Sequence, residues 1–269
     1  MAGNVSVPGA RVSDRLLAIL GTFDPTHRAQ RPYDIAERAD LPLSTVYRLV
    51  AVLAEWGALT KREDGSYVVG RRLWDLGQLA PARTDLRAAA SPFLHDLYGA
   101  TLATVHFAVR DGTEVLYLDR LAGHASVPVV SEVGGRLPLH ATGVGKALLA
   151  YAPPDVQQQV FANLTRITPY TITAPGRLRR ELAAIRQHGF AQTVEEMSLG
   201  ACSVAVPVRG PGTEDGRDTG DPGDTGDTAV VAALGIVVPS LRRDRAKLVS
   251  ALSVAAQGIR RTLAQVPAP

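Results

Sequence analysis

Cysteine is almost absent: Cys202 is the only one in 269 residues. A single thiol forms no intramolecular disulfide and supplies too few ligands for a cysteine-based zinc site. Long apolar runs are missing as well, and no stretch approaches the roughly 20 residues that a membrane helix requires. Met1 to Val12 lacks the apolar core of a secretion signal, so a cytoplasmic protein with no membrane contact is expected. Lysine is scarce, with 3 lysines against 26 arginines. That skew fits a GC-rich genome and carries no chemistry by itself.

Catalytic motifs are missing too. No Gly-x-Ser-x-Gly elbow occurs, and neither a His-x-x-x-His pair nor a carboxylate pair suggests a metal site. Gly143-Val-Gly-Lys146 has the look of a phosphate loop. A Walker loop, however, needs glycine where His140 stands and Ser or Thr where Ala147 stands. Glu195 and Glu196 are adjacent on an expected strand and point to opposite faces. Cys202 beside His106, His140 or His188 reads more simply as a small core residue. No catalytic residue, metal or cofactor is expected, and the chain does not read as an enzyme.

The composition that is present, 46% hydrophobic and 20% charged, is that of a soluble globular protein long enough for two domains. The net charge of +3 is unevenly spread. Residues 210–228 hold six acids and one base, a flexible acidic insertion of charge −5 that leaves +8 on the rest. A moderately basic body suits a polyanionic partner.

Residues 10–70 read as a winged helix-turn-helix. Val12, Leu16, Ile19, Leu20 and Phe23 form one apolar helical stripe with Ser13 as its N-cap. A second helix opens at Asp34 with Glu37 in a capping-box position, and Asp40-Leu41-Pro42 breaks it. Ser44 caps a third, whose core face is Val46, Leu49, Val50 and Leu53. Leu59–Arg62 and Ser66–Val69 around Asp64-Gly65 form a hairpin wing. The N-terminal residues of such a third helix enter the major groove. Arg48 suits guanine O6 and N7, and Thr45 and Tyr47 lie beside it. Ser44 at the helix start, Lys61 and Arg62 on the wing, and Arg28 and Arg31 in the preceding loop are phosphate-contact candidates. Residues 1–84 hold 11 bases and 9 acids, so electrostatics alone does not decide the matter. Three helices and a hairpin also occur in protein-interaction modules, and a non-catalytic oligomeric ligand-sensing module without operator specificity is the alternative.

Residues 71–84 are expected as one linker helix closed by Pro81, and residues 85–265 as an effector-binding domain. Ser91-Pro92 marks a kink or a fresh helical start. Thr104–Arg110 and Thr113–Leu121 flank an Asp-Gly turn, Val127–Val133 is a candidate strand, and three helices follow before strands resume near Phe190. Helices mixed with hairpins imply an α+β fold with a largely antiparallel sheet.

The run from Asp34 to Leu49 resembles the helix-turn-helix of the IclR family of transcription regulators. Gly134-Gly-Arg-Leu-Pro-Leu-His-Ala-Thr-Gly-Val-Gly-Lys-Ala-Leu-Leu-Ala150 is similar to that family's most recognisable stretch, and Gly189-Phe190, Glu195-Glu196, Gly200 and Val204–Val208 follow in the family's order. The resemblance spans both halves of the chain. It implies a GAF-like effector domain, a homodimer or homotetramer, and control of a catabolic operon, most often by repression, in response to a small-molecule effector. It also implies a pocket lined by Gly143 and Val144, by Val129 before them, and by Thr193, Ser203, Gly235 and Val237 on later strands. His140 either lines that pocket or satisfies loop backbone, and Cys202, one place before the position where the family often has cysteine, is a further lining candidate. Thr193, Ser203, Gly235 and Val237 replace more polar residues of the family's small-acid sensors. A larger or more apolar effector is expected, an aromatic or larger organic acid.

Overall fold

The computed structural model describes residues 11–24, 26–77, 79, 81–123, 127–210, 229–242 and 244–265, without the side chains of 81–85. The chain packs as two compact units, Met1–Thr84 and Asp85–Pro269.

In the first unit, helices α1 (Val12–Gly21), α2 (Pro32–Ala39) and α3 (Leu43–Trp56) enclose a small core of Ile19, Ile35, Val46, Leu49, Val50 and Leu53. The helices start earlier than the sequence reading placed them. Arg11, not Ser13, precedes α1, and its amide donates to Asp14 at 3.0 Å. Pro32 occupies the first turn of α2, and Asp34 sits inside it, accepting from the Arg31 amide at 3.0 Å. The Asp14 and Asp34 carboxylates thus work from the third helical position, each reaching back to an amide that has no partner within the helix. Asp40, at φ 51°, turns the chain from α2 to α3. The wing has three strands: β1 (Ala29–Gln30), β2 (Leu59–Lys61) and β3 (Tyr67–Val69), in the order β1-β3-β2. Two-residue β1 is too short to show periodicity.

Helix α4 spans Arg71–Gly77, and Pro81 begins α5 (Pro81–Thr101). The expected single helix over 71–84 is therefore divided. Proline is favoured in a first turn because its missing N–H has no intrahelical acceptor there. Pro92 lies inside α5 without ending it.

The second unit is built on one antiparallel sheet. Its strands are β4 (Thr104–Asp111), β5 (Glu114–Leu121), β6 (Arg136–Pro138), β7 (Ala191–Val194), β8 (Cys202–Arg209) and β9 (Val230–Val238), in the order β6-β5-β4-β9-β8-β7. Val127–Val133 is not a strand. The free edge of β5 is taken by β6, where Leu137 pairs with Val115, and Pro128 removes a donor from the earlier run. Helices α5 and α9 (Arg245–Gln265) cover one face over an aliphatic core. Helices α6 (Gly143–Leu149), α7 (Pro154–Ala162) and α8 (Pro175–His188) cover the other. The acidic run 211–228 lies outside the described residues.

Candidate DNA interface and effector pocket

Helix α3 begins at Leu43 because Pro42 fixes an extended approach, and its carbonyl accepts the Thr45 and Val46 amides at 2.9 and 3.1 Å. Ser44 is thus inside the first turn and makes no cap hydrogen bond, a correction to its expected capping role. Burial of Val46, Leu49, Val50 and Leu53 leaves Ser44, Tyr47 and Arg48 exposed and Thr45 half-buried. Among the described residues the Arg48 guanidinium has no ion-pair partner. The helix ends at Gly57, with φ 84°.

The wing is fixed to the end of α3 by a close backbone approach. A Cβ on Gly70 would lie 2.2 Å from the Gly57 carbonyl oxygen, and the Gly70 amide donates to the Ala58 carbonyl at 2.7 Å. Arg72 stacks on the Trp56 ring, 4.6 Å from its centre. Lys61 and Arg62 are exposed on the wing, and Arg28 and Arg31 are exposed on either side of β1. The Ser66 hydroxyl and amide hold the Asp64 carboxyl below its ordinary range, with Arg62 and Arg31 adding to the effect. Arg31 and Arg62 therefore lie within electrostatic reach of the same wing carboxyl.

In the second unit a cavity lies where α6 meets the sheet, with about 480 Å³ free of protein atoms, part of it open to solvent. The structure places Val129, Gly143, Val144, Thr193, Ser203, Gly235 and Val237 on its walls. His140 and Cys202 are not among them. The buried His140 Nε2 hydrogen-bonds the Thr165 carbonyl at 2.9 Å, which leaves the loop-backbone reading and removes the pocket reading. Cys202 is one residue from Ser203 and so faces the other side of β8, where its thiol meets the Pro239 carbonyl at 3.7 Å.

The closeness of α6 to the sheet depends on two glycines. A Cβ on Gly143 would lie 2.4 Å from Ser203 Oγ, and one on Gly235 would lie 2.8 Å from Val144 Cγ1. The polar wall groups are paired with each other. Thr193 Oγ1 and Ser203 Oγ are 2.6 Å apart, and His106 Nε2 and Ser131 Oγ are 2.7 Å apart. Burial first, and the Arg120 charge second, push the His106 pKa down to about 3, so its imidazole is neutral at physiological pH. Burial likewise raises the Tyr117 phenol, against the smaller effect of its hydrogen bond to Thr142. The ring of Tyr117 meets His106 edge-on with centres 5.0 Å apart.

Family comparison agrees with both units. Residues 13–63 match the model of the IclR helix-turn-helix domain, and residues 78–215 match that of the bacterial transcriptional regulator IclR C-terminal domain. This chain belongs to the IclR family of DNA-binding transcription regulators.

Among its relatives is the HTH-type transcriptional regulator XynR of Escherichia coli, 31% identical over 198 residues, covering 72% of this chain and 79% of that one. The transcriptional repressor AllR of Escherichia coli is 29% identical over 249 residues, 91% and 86% of the two chains. A solved IclR homolog from Microbacterium hydrocarbonoxydans, in complex with 4-hydroxybenzoate, superposes with a TM-score of 0.84 at 34% identity, covering 94% of this chain and 99% of its own.

Several wall residues of this IclR-family pocket escaped the sequence reading: His106, Tyr117, Ser131, Thr142, Met197 and Ser198. One signal was available. His106 alternates with Val105 and Phe107 on β4, a polar residue placed on the face opposite a buried apolar one. Ser131 gave none, because it lies in an irregular segment. Lys146, fully buried, donates to Glu181 Oε1 at 2.5 Å and Glu196 Oε1 at 2.7 Å. It ties α6 to the segment bearing Met197 and Ser198, which is a structural pairing and not a phosphate site. Burial raises the Glu196 carboxyl despite the opposing Lys146 charge. Glu195 is turned away at φ 56° and accepts the Gly200 amide at 2.6 Å. No group of three or more metal-ligating side chains occurs among the described residues. No helix among them is long and apolar enough to cross a membrane.

Proposed function

We propose that this regulator binds an operator through α3 and the wing as a homodimer or homotetramer, and that an aromatic carboxylic acid in the α6 cavity alters that binding. Arg48, Thr45 and Tyr47 read base edges. Ser44, Lys61, Arg62, Arg28 and Arg31 contact phosphate. Residues 71–84 link the two functions. Repression of a catabolic operon in the cytoplasm, without catalysis, is the role that fits.

One observation carries the effector reading: among the described residues the cavity walls are apolar apart from a few neutral polar groups, with no formally charged side chain. Such a lining suits a ring bearing a few hydrogen-bonding substituents better than a two- or three-carbon acid. The 34% identical neighbour in complex with 4-hydroxybenzoate supports the same class. A coupling of about 1–3 kcal/mol between the two sites would change operator affinity by roughly 5- to 150-fold.

The test is a mobility shift on the DNA upstream of the regulator's own gene and on a genomic fragment library, with excess random competitor and with or without 4-hydroxybenzoate. A competitor-resistant complex whose affinity shifts with the acid supports the reading. Arg48→Ala should weaken that complex by about 1–3 kcal/mol while leaving random-sequence binding nearly unchanged. Absence of any sequence preference across the library, with and without the acid, hands the case to the interaction-module alternative.

A further inference from the structure

The α6 cavity poses an electrostatic question. Among the described residues its walls carry no formally charged side chain, and a carboxylate taken from water into such a lining loses hydration with nothing to replace it. One cation stands on the same sheet face just outside the walls. Arg120 on β5 lies directly opposite His106 on β4, and residues paired across an antiparallel ladder project to the same face. His106 itself lines the cavity.

Arg120 differs from two arginines nearby, Arg136 on β6 and Arg87 on α5. Arg136 donates to Asp111 at 2.6 Å, and Arg87 donates to Asp119 at 3.0 Å. Asp119, although adjacent to Arg120 in sequence, is therefore committed to another partner. Arg120 is half-buried, and its Nε is shut off from solvent without a hydrogen-bond acceptor. No carboxylate pairs with it among the described residues. A buried donor left unsatisfied is costly, and native proteins seldom keep one without a use. Arg120 also contributes to the low pKa of His106, which places its charge within electrostatic reach of the cavity wall.

We infer that Arg120 is the anion anchor of this pocket: the effector carboxylate supplies the acceptor that Nε lacks and makes the site select acids over uncharged analogues. The inference rests on reading the cavity as the effector site. The remaining contacts follow from the strand order. β8, which carries Ser203, lies three strands from β5, and β7, which carries Thr193, lies four. Ala205 is in register with Arg120 through His106 and Gly235, and Ser203 lies two residues further along β8. At roughly 4.8 Å per strand and 3.4 Å per residue the Arg120 and Ser203 backbones are about 16 Å apart. With both side chains reaching inward, that gap takes a single ring with substituents at opposite ends. The carboxylate faces Arg120, the ring lies beside the Gly235–Val144 contact, and a hydroxyl reaches the Thr193–Ser203 pair.

The experiment is calorimetric titration of the full chain with 4-hydroxybenzoate and with its uncharged isostere, 4-hydroxybenzamide. The wild type should bind the acid at least about tenfold more tightly than the amide, with the preference shrinking as salt rises. Arg120→Gln should weaken the acid by about 30-fold or more and leave the amide within about threefold. Arg120→Lys keeps the charge and should recover part of the loss. Equal weakening of both ligands by Arg120→Gln would assign Arg120 a packing role and overturn the inference, as would unchanged acid binding. Comparable wild-type affinity for acid and amide would overturn it while leaving the aromatic-effector reading standing. If neither ligand binds the wild type, the effector reading fails and the anchor falls with it.

Discussion

The two faces of the six-stranded sheet are built from the same strands yet hold opposite things. Toward α5 and α9, β4 presents Val105, Phe107 and Val109, β8 presents Val204, Val206 and Val208, and β9 presents Leu234 and Ile236, all in one closed core. Toward α6 the intervening residues are His106 and Ala108, Ser203 and Ala205, and Ala233, Gly235 and Val237. Strand alternation of period two turns this into a difference of volume. Large aliphatic side chains fill one side, and small ones leave the other side open. The cavity is thus written as missing side-chain volume on one parity of three strands. The polar groups on the cavity wall include two hydrogen-bonded pairs, Thr193 with Ser203 and His106 with Ser131.

The closed face should be the more sensitive of the two to loss of volume. Phe107, at 0% exposure, is among the largest fully buried side chains. Phe107→Ala should cost about 3–5 kcal/mol of stability, since transfer and cavity costs add in a core that cannot collapse. Urea unfolding measures it. A loss under about 1 kcal/mol would mean that this face is as loosely packed as its opposite. The open face should instead be sensitive to added volume. Gly235→Val places a Cβ 2.8 Å from Val144 Cγ1. It should destabilise by about 1–3 kcal/mol through overpacking and abolish binding of the aromatic acid. Retained ligand affinity would show that the cavity is not where the acid sits.

The contrast also explains what could be read from sequence. Helices α3, α8 and α9, the β4–β5 hairpin and the β8 and β9 strands follow from apolar periodicity, because each buries one regular face. Family resemblance supplied Gly143, Thr193 and Ser203, but not the reason that Cys202 is excluded, which is one step of strand parity. His140 was ambiguous because a buried histidine's role depends on which carbonyl faces it, here that of Thr165, 25 positions away in the chain. Ser131 and β1 were invisible for a similar reason. An irregular segment and a two-residue strand acquire their meaning only from distant partners, His106 in one case and β3 in the other.

Acidification tests the polar side of the contrast next. His106 is neutral in the fold, with a pKa of about 3 against an ordinary 6.5. Below pH 6.5 the unfolded chain takes up a proton that the folded chain refuses. This contribution is therefore intact above that pH and is lost as pH falls toward 3. The slope approaches about 1.4 kcal/mol per pH unit. His106→Gln should remove that part of the acid sensitivity between pH 6.5 and 4, read from urea midpoints. An unchanged slope in the variant would place the acid sensitivity elsewhere, Glu196 being excluded because a raised carboxyl pKa gives the opposite sign.

The smallest effect separates two neighbours in the chain. Val204 is fully buried in the aliphatic core, whereas Ser203, half-buried, faces the cavity and shares a 2.6 Å hydrogen bond with Thr193. Ser203→Ala removes one neutral hydrogen bond and should cost only about 0.5–1.5 kcal/mol of stability. It frees Thr193 to serve a ligand alone, so affinity for 4-hydroxybenzoate should fall while affinity for benzoate, which lacks the hydroxyl, stays nearly constant. Val206→Ala, in the same aliphatic core and away from the cavity walls, should do the reverse, lowering stability without changing the preference between the two acids. If Ser203→Ala weakened both acids equally, the hydroxyl pair would be a structural clasp between β7 and β8, and the polar side of the sheet would owe its composition to packing alone.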